Sequence, residues 1–199
     1  MHISEGVLNA PILLSGALLA CTILAIAYRK MHNEDIAKIA VLSALFFLAS
    51  FIHVPVGPSS VHLILVGLVG ALLGLQAFIA IFIALLLQSL LFGYGGIKTL
   101  GINLCILASP ALLASWLFVH SPKQKPYRHI AWFLIGFLPL MLSALLLSLI
   151  LALNGEAFVL AAKIALGAHI PVMVIEGLIS LFALQFIYTV SPQILEKVR

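Results

Sequence analysis

The sequence predicts an all-α integral membrane protein: a bundle of about seven transmembrane helices, N-terminus outside and C-terminus cytoplasmic, forming a single unit over residues 1–199. Three observations carry this prediction. Hydrophobic residues make up 64% of the chain and charged residues 8%, where an ordinary soluble domain is about a quarter charged. Short segments rich in Gly, Pro and charge cut the apolar sequence at intervals near the ~20 residues a helix needs to cross a bilayer. The lysines and arginines then sort by side once the spans are counted.

The first span runs from Pro11 to Tyr28 and ends at Arg29 and Lys30. The second covers about Ile36 to Ile52. His53-Val-Pro-Val-Gly-Pro-Ser-Ser60 follows, and its two prolines and glycine disfavour helix by steric clash and loss of a donor, so a loop is expected at one membrane face. From Val61 to Phe92 the sequence is apolar for longer than one span needs. Gly67, Gly70, Gly74 and Gln76 mark a reversal between a short third helix and a fourth, placed near Gly74 to Gln76, with His62 opening the third helix and able to point into the bundle. A glycine-rich loop from Phe92 to Gly101 precedes span five, about Ile102 to Val119. His120 to His129, with Lys123, Lys125 and Arg128, is aqueous. Span six covers about Ile130 to Leu153, Asn154 to Lys163 turns, and span seven runs from about Leu166 to Val190 before a polar tail.

With the N-terminus outside, the inner segments hold Arg29, Lys30, Lys38, Lys123, Lys125, Arg128, Lys197 and Arg199, and the outer ones hold Lys98 and Lys163. That is a positive-inside bias, and miscounting the third and fourth helices would destroy it. The net charge of +4 is therefore a topological signal, and no nucleic-acid partner is implied. Gly16-x-x-x-Ala20 and Gly70-x-x-x-Gly74 are small-residue patterns that let helix backbones approach, within the chain or against a partner. Cys21 and Cys105 sit in separate apolar runs and imply no disulfide.

The first residues form a candidate chelate. The Met1 amine, the His2 backbone nitrogen and the near ring nitrogen of His2 would close a five- and a six-membered ring around one cation. Such nitrogen donors suit Ni(II) and Cu(II), and imidazole also suits Co(II) and Zn(II). A fourth donor must come from elsewhere. His2 is large, so Met1 is expected to be retained, and no basic n-region or small-residue cleavage site suggests a removable leader. The topology puts His2, His53, His62 and His169 on the outer side. Glu176 lies seven residues beyond His169 on the same helical face, and an ionisable residue within a span usually faces a cavity or a partner. His53 and His169 are read either as metal-site residues or as interfacial side chains reaching water.

Four landmarks in order carry a resemblance: Met1-His-Ile-Ser-Glu-Gly-Val-Leu8, Pro55-Val-Gly-Pro-Ser-Ser-Val-His62-Leu63, Phe92-Gly-Tyr-Gly-Gly-Ile-Lys-Thr-Leu-Gly-Ile-Asn103 and His169-Ile-Pro-Val-Met-Val-Ile-Glu176-Gly177. Together they resemble the nickel/cobalt substrate-specific membrane subunit of energy-coupling factor (ECF) transporters, the CbiM/NikM type. The resemblance implies that the N-terminal segment tucks into the bundle and that Met1, His2 and His62 hold the metal. Glu5, Asn103 and Glu176 are then expected to orient a ring or hold a loop, and Tyr94 to belong to the glycine-rich loop that closes the cavity. The resemblance implies a histidine in many relatives where Tyr94 stands, and more hydroxyl character where Lys98 stands. The implied partners are a transmembrane coupling (T) subunit, cytoplasmic ATPases and a small accessory membrane subunit, in the cytoplasmic membrane of a prokaryote. No cofactor beyond the transported ion is expected. The chain has no Walker A sequence and is read as a transport subunit without its own ATPase. An intramembrane metalloenzyme or a metal-permeable channel is the alternative, the former disfavoured by the absence of His-Glu-x-x-His.

Overall fold

In the computed structural model the chain is described over residues 2–56 and 59–196; the side chains of residues 53–60 lie outside that description. The elements are α1 (Ala10–Arg29), α2 (Asp35–Ala49), β1 (His53–Val56), β2 (Ser59–His62), α3 (Val66–Leu73), α4 (Ala77–Phe92), α5 (Leu100–Val119), α6 (Tyr127–Leu153), α7 (Val159–Val190) and α8 (Pro192–Glu196). One 3-10 turn, Gly74–Gln76, separates α3 from α4, and another, Glu156–Phe158, precedes α7.

The molecule is a helical membrane protein. Five segments are long and apolar enough to cross a bilayer: Ala10–Arg29, Val66–Phe92, Leu100–Val119, Tyr127–Leu153 and Glu156–Val190. Helices stand at all seven expected places, and two of them are short. At 1.5 Å per residue α2 reaches about 22 Å and α3 about 12 Å, against a hydrocarbon core of about 30 Å.

The segment Val66–Phe92 is nevertheless not one rod. At its start α3 follows His62, and at its end α4 leads to Tyr94; the rings of both His62 and Tyr94 stack with that of His2. Its middle lies at the opposite end of the bundle, where the Gln76 side chain donates to the Lys30 carbonyl at 3.1 Å, just past the end of α1. The chain therefore reverses at Gly74–Gln76, where Gly74 takes φ +58, a left-handed conformation open to glycine.

Between α2 and α3 the expected loop is an antiparallel hairpin, with His53 paired to His62 and Val54 to Val61. Leu63 extends the ladder by donating to the Ile52 carbonyl at 3.0 Å. Proline and glycine here disfavour helix without disfavouring strand, and Val54, Val56 and Val61 supply β-branched side chains. His62 consequently ends a strand; it does not open a helix. Two further differences are smaller. The turn after α6 is shorter than expected, so Lys163 is helical, and the polar tail contains α8.

At the centre is α5, which packs against α1, α3, α4 and α6 and buries Leu104, Leu107, Ala108, Ala111, Ala114 and Phe118. It is apolar on all sides, as a helix surrounded by others must be. Both small-residue patterns are spent on it. A Cβ on Gly16 would fall 2.8 Å from Ile102, and one on Gly70 would strike the Ala111 carbonyl. These glycines serve packing within the chain, not a partner.

Candidate metal site

The segment ahead of α1 lies on the end of the bundle where α5 begins, and three sets of polar contacts bind it there. Asn103, a lone amide on the first turn of α5, pairs with both peptide groups of Ile3: the Ile3 amide donates to Oδ1 at 2.9 Å, and Nδ2 donates to the Ile3 carbonyl at 3.0 Å. Nδ2 also donates to Thr99 Oγ1 at 3.2 Å, and the Thr99 hydroxyl donates to the Gly95 carbonyl at 2.9 Å. The amide plane is thus fixed from behind. Ile3 is buried, so its main-chain groups need these partners.

The glycine-rich loop supplies the second set. Glu5 donates its amide to the Gly95 carbonyl at 2.9 Å, and its carboxylate accepts from the Lys98 amide at 2.8 Å. Gly95 and Gly96 have φ of +74 and +100, and a Cβ on Gly96 would collide with the Glu5 side chain. Lys98 contributes its backbone here. The third contact is Asn154, between α6 and α7, whose side chain accepts from the Asn9 amide at 3.0 Å and donates to the Val7 carbonyl at 2.6 Å.

These bonds hold the His2 ring beside that of His62, with centroids 5.1 Å apart and planes 19° from parallel. Both ring nitrogens of His2 are buried without a hydrogen-bond partner. Burial, reinforced by the neighbouring His62, pushes the His2 imidazole well below its usual pKa, so at neutral pH it is uncharged and carries a lone pair. His62 Nδ1 donates to the Leu63 carbonyl at 3.0 Å, which selects the tautomer with the lone pair on Nε2. Tyr94 stacks on His2 from 6.3 Å and continues into Phe92, Phe51 and Phe47, an aromatic wall from α4 and α2.

The position of His62 depends on the three residues that follow it. Leu63, Ile64 and Leu65 are buried, and Leu65 adopts φ +59, a conformation that costs a non-glycine residue about 1–2 kcal/mol. Glu176 on α7 stabilises this bend. Its Oε1 accepts from the Ile64 and Leu65 amides at 2.5 and 2.9 Å, leaving Oε2 buried without a partner.

Of the residues expected from the sequence, the fold brings together His2, His62, Glu5, Tyr94 and Asn103, and Glu176 reaches the site through the bend after His62. His169 is buried in α7 and donates Nδ1–H to the Ala165 carbonyl at 2.6 Å within its own helix. His53 pairs with His62 through the backbone, and its side chain lies outside the described residues, as does Met1. Sequence reasoning missed Thr99, Asn154 and the bend at Leu65. Asn154-Gly155, a polar pair between two apolar runs, was a signal for the second. Among the described residues no three His, Cys, Asp or Glu side chains cluster as a metal site.

Comparison with known proteins gives concordant results. The family described as cobalt uptake substrate-specific transmembrane region, CbiM, matches residues 2–194. A Haemophilus influenzae protein named for metal transport is 38% identical over 201 residues, covering 99% of this chain and 98% of its own. A fused nickel transport protein, NikMN, of Archaeoglobus fulgidus is 24% identical, covering 99% of this chain and 68% of its own length. The crystal structure of a transition metal transporter superposes with a TM-score of 0.82 at 23% identity, covering 96% of this chain and 93% of that one; it shares the fold.

Proposed function

The chain belongs to the family of cobalt uptake substrate-specific transmembrane regions, and on that footing we propose that it is the substrate-binding subunit of an ECF-type importer for Ni2+ or Co2+. The observation that carries the reading is the His2 imidazole, neutral and buried with both nitrogens unpartnered, 5.1 Å from the His62 ring. An unsatisfied buried donor or acceptor costs about 1–3 kcal/mol. A cation that accepts the lone pair removes part of that cost and supplies a reason for so many contacts on one short segment.

In this reading the ligands are the Met1 amine, the backbone and ring nitrogens of His2, and Nε2 of His62. A hydrated ion arrives from outside and exchanges water for nitrogen. Asn103, Glu5 and Asn154 hold the chelating segment, Glu176 holds the bend behind His62, and Tyr94 covers the ring. The protein takes part as a seven-span unit over residues 1–199, N-terminus out and C-terminus in. The bias of lysine and arginine supports this orientation, as does the alternation of helix ends about the Gly74–Gln76 reversal. Its place is the cytoplasmic membrane of a prokaryote. Inward release needs a transmembrane coupling subunit and cytoplasmic ATPases, with a small accessory membrane subunit; the fused architecture of the Archaeoglobus relative supports such company. Both metals stay in the proposal, because nitrogen donors accept either and affinity order does not set selectivity in a cell.

Calorimetric titration of Ni2+ and Co2+ into the purified protein tests the assignment. His62→Ala should weaken binding by at least the roughly 10- to 100-fold typical of losing a residue that only orients a ligand. His120→Ala, at the opposite end of the bundle, should bind as the unmodified protein does. Equal effects at the two positions would remove His62 from the site.

A further inference from the structure

The end of the bundle away from His2 carries a second constellation, independent of the metal reading. At 1.5 Å per residue, Phe118 lies about 22 Å along α5 from Asn103. There Phe118, Lys123, Arg128, Trp132, Tyr188 and Glu196 border a cavity of about 350 Å³. Arg128 is only 6% exposed. Its guanidinium carbon sits 4.0 Å from the centroid of the Tyr188 ring and 4.9 Å from that of Trp132, and one terminal nitrogen donates to the Lys123 carbonyl at 3.5 Å. Nε of Arg128 is buried without a partner, and so is the indole N–H of Trp132, a residue 1% exposed.

Aromatic faces offset part of the desolvation of a guanidinium, and a buried cation is fully compensated only when an anion and its hydrogen bonds complete the shell. Arg128 and Trp132, each with an orphaned N–H donor, line one cavity together with Lys123, and this set of donors matches a tetrahedral anion with several acceptor oxygens. The carboxylate of Glu196 also borders the cavity, on an exposed residue. It opposes an anion, and among the described residues no ion pair joins it to Arg128.

We propose that this cavity binds a phosphate group through Arg128 and Trp132. Exposed Trp116, Tyr127 and Tyr188 surround this end of the bundle, the pattern of an aromatic belt at a membrane–water boundary. That setting favours the headgroup of an anionic phospholipid as the source of the phosphate, with inorganic phosphate as the soluble source of the same chemistry.

The test uses the purified full chain in detergent and follows thermal melting together with lipid adducts by native mass spectrometry. The probes are dioleoylphosphatidylglycerol, dioleoylphosphatidylcholine and inorganic phosphate. Phosphatidylglycerol should be retained about tenfold more tightly than phosphatidylcholine, and Arg128→Gln should abolish that preference while Ni2+ affinity stays unchanged. Trp132→Phe keeps the ring and removes one donor; it should cost roughly threefold to tenfold, the scale of one hydrogen bond. Glu196→Gln should leave binding equal or tighter. Protection by inorganic phosphate, with none by phosphatidylglycerol, would support the site and assign it to a soluble anion. Should Arg128→Gln fail to fold, Trp132→Phe and Glu196→Gln decide the matter. The proposal is overturned if neither probe binds, or if binding is indifferent to both Arg128→Gln and Trp132→Phe. It is equally overturned if Glu196→Gln lowers the melting temperature, which would identify Glu196 as the guanidinium's own counter-ion.

Discussion

Replacing Asn103 by Ala removes the part of α5 that grips the chelating segment while leaving every proposed ligand in place. Asn103 makes two hydrogen bonds to Ile3, at 2.9 and 3.0 Å. At about 1 kcal/mol net for each, docking of the segment loses about 2 kcal/mol, and the loss rises toward ~4 kcal/mol if the Ile3 peptide groups stay buried without partners. The apparent metal affinity falls with the fraction of molecules whose segment is docked, so about 2 kcal/mol corresponds to roughly 30-fold if docking is only marginal in the variant. Calorimetric titration with Ni2+ reads this directly, with helical content by circular dichroism as the control for folding. Thr99→Val removes the brace behind the amide and should give a smaller loss of the same kind. If Asn103→Ala binds Ni2+ with unaltered affinity and unaltered fold, the clamp does not position the ligands, and the chain of reasoning from Ile3 to His2 fails.

Two further outcomes follow from the same geometry. Glu176→Leu orphans the buried Ile64 and Leu65 amides, at about 1–3 kcal/mol each, and should weaken metal binding sharply or lower expression. Glu176→Gln keeps an acceptor and should restore most of both, and equal behaviour of the two variants in the titration would show that the acceptor is not what matters. Metal binding should also weaken with acid. The docked His2 ring has its pKa lowered, so the undocked ring, titrating near 6.5, binds more protons. Docking is then fully present above about pH 6.5 and is lost as pH falls below it, by at most ~1.4 kcal/mol per unit. Titrations with Ni2+ between pH 7.5 and 5.5 should show this slope, and affinity that is flat or rises toward acid would contradict it.

Much of the architecture was legible because it rests on local rules. The reversal at Gly74–Gln76 was marked by glycines and required by the distribution of lysine and arginine, and the structure puts Gln76 against Lys30. Asn103 was expected to orient a ring or hold a loop, and it is the residue that binds Ile3. The hairpin was not legible, because Pro55, Gly57 and Pro58 announce a break and say nothing of what replaces the helix. The role of Glu176 was beyond local reading for a different reason. Its partners are 112 and 111 residues away, and the need for an acceptor arises only once Leu65 is bent. His62 was identified as a site residue but given the wrong element, since helix and strand both place a residue at that end of the bundle. Asn154 was read as a turn residue, and the cross-chain bonds to Val7 and Asn9 that give it a purpose depend on the fold.

The central claim is that the chain's own amine, together with His2 and His62, forms the metal site. The most direct measurement is calorimetric titration of Ni2+ into two preparations of one protein: a form with an uncleaved N-terminal extension before Met1, and the same material after proteolysis leaves Met1 as the first residue. The account predicts binding that is lost in the extended form and restored on cleavage, with helical content equal in both. Equal affinity before and after cleavage would show that the amine is not a ligand and would contradict the proposed site.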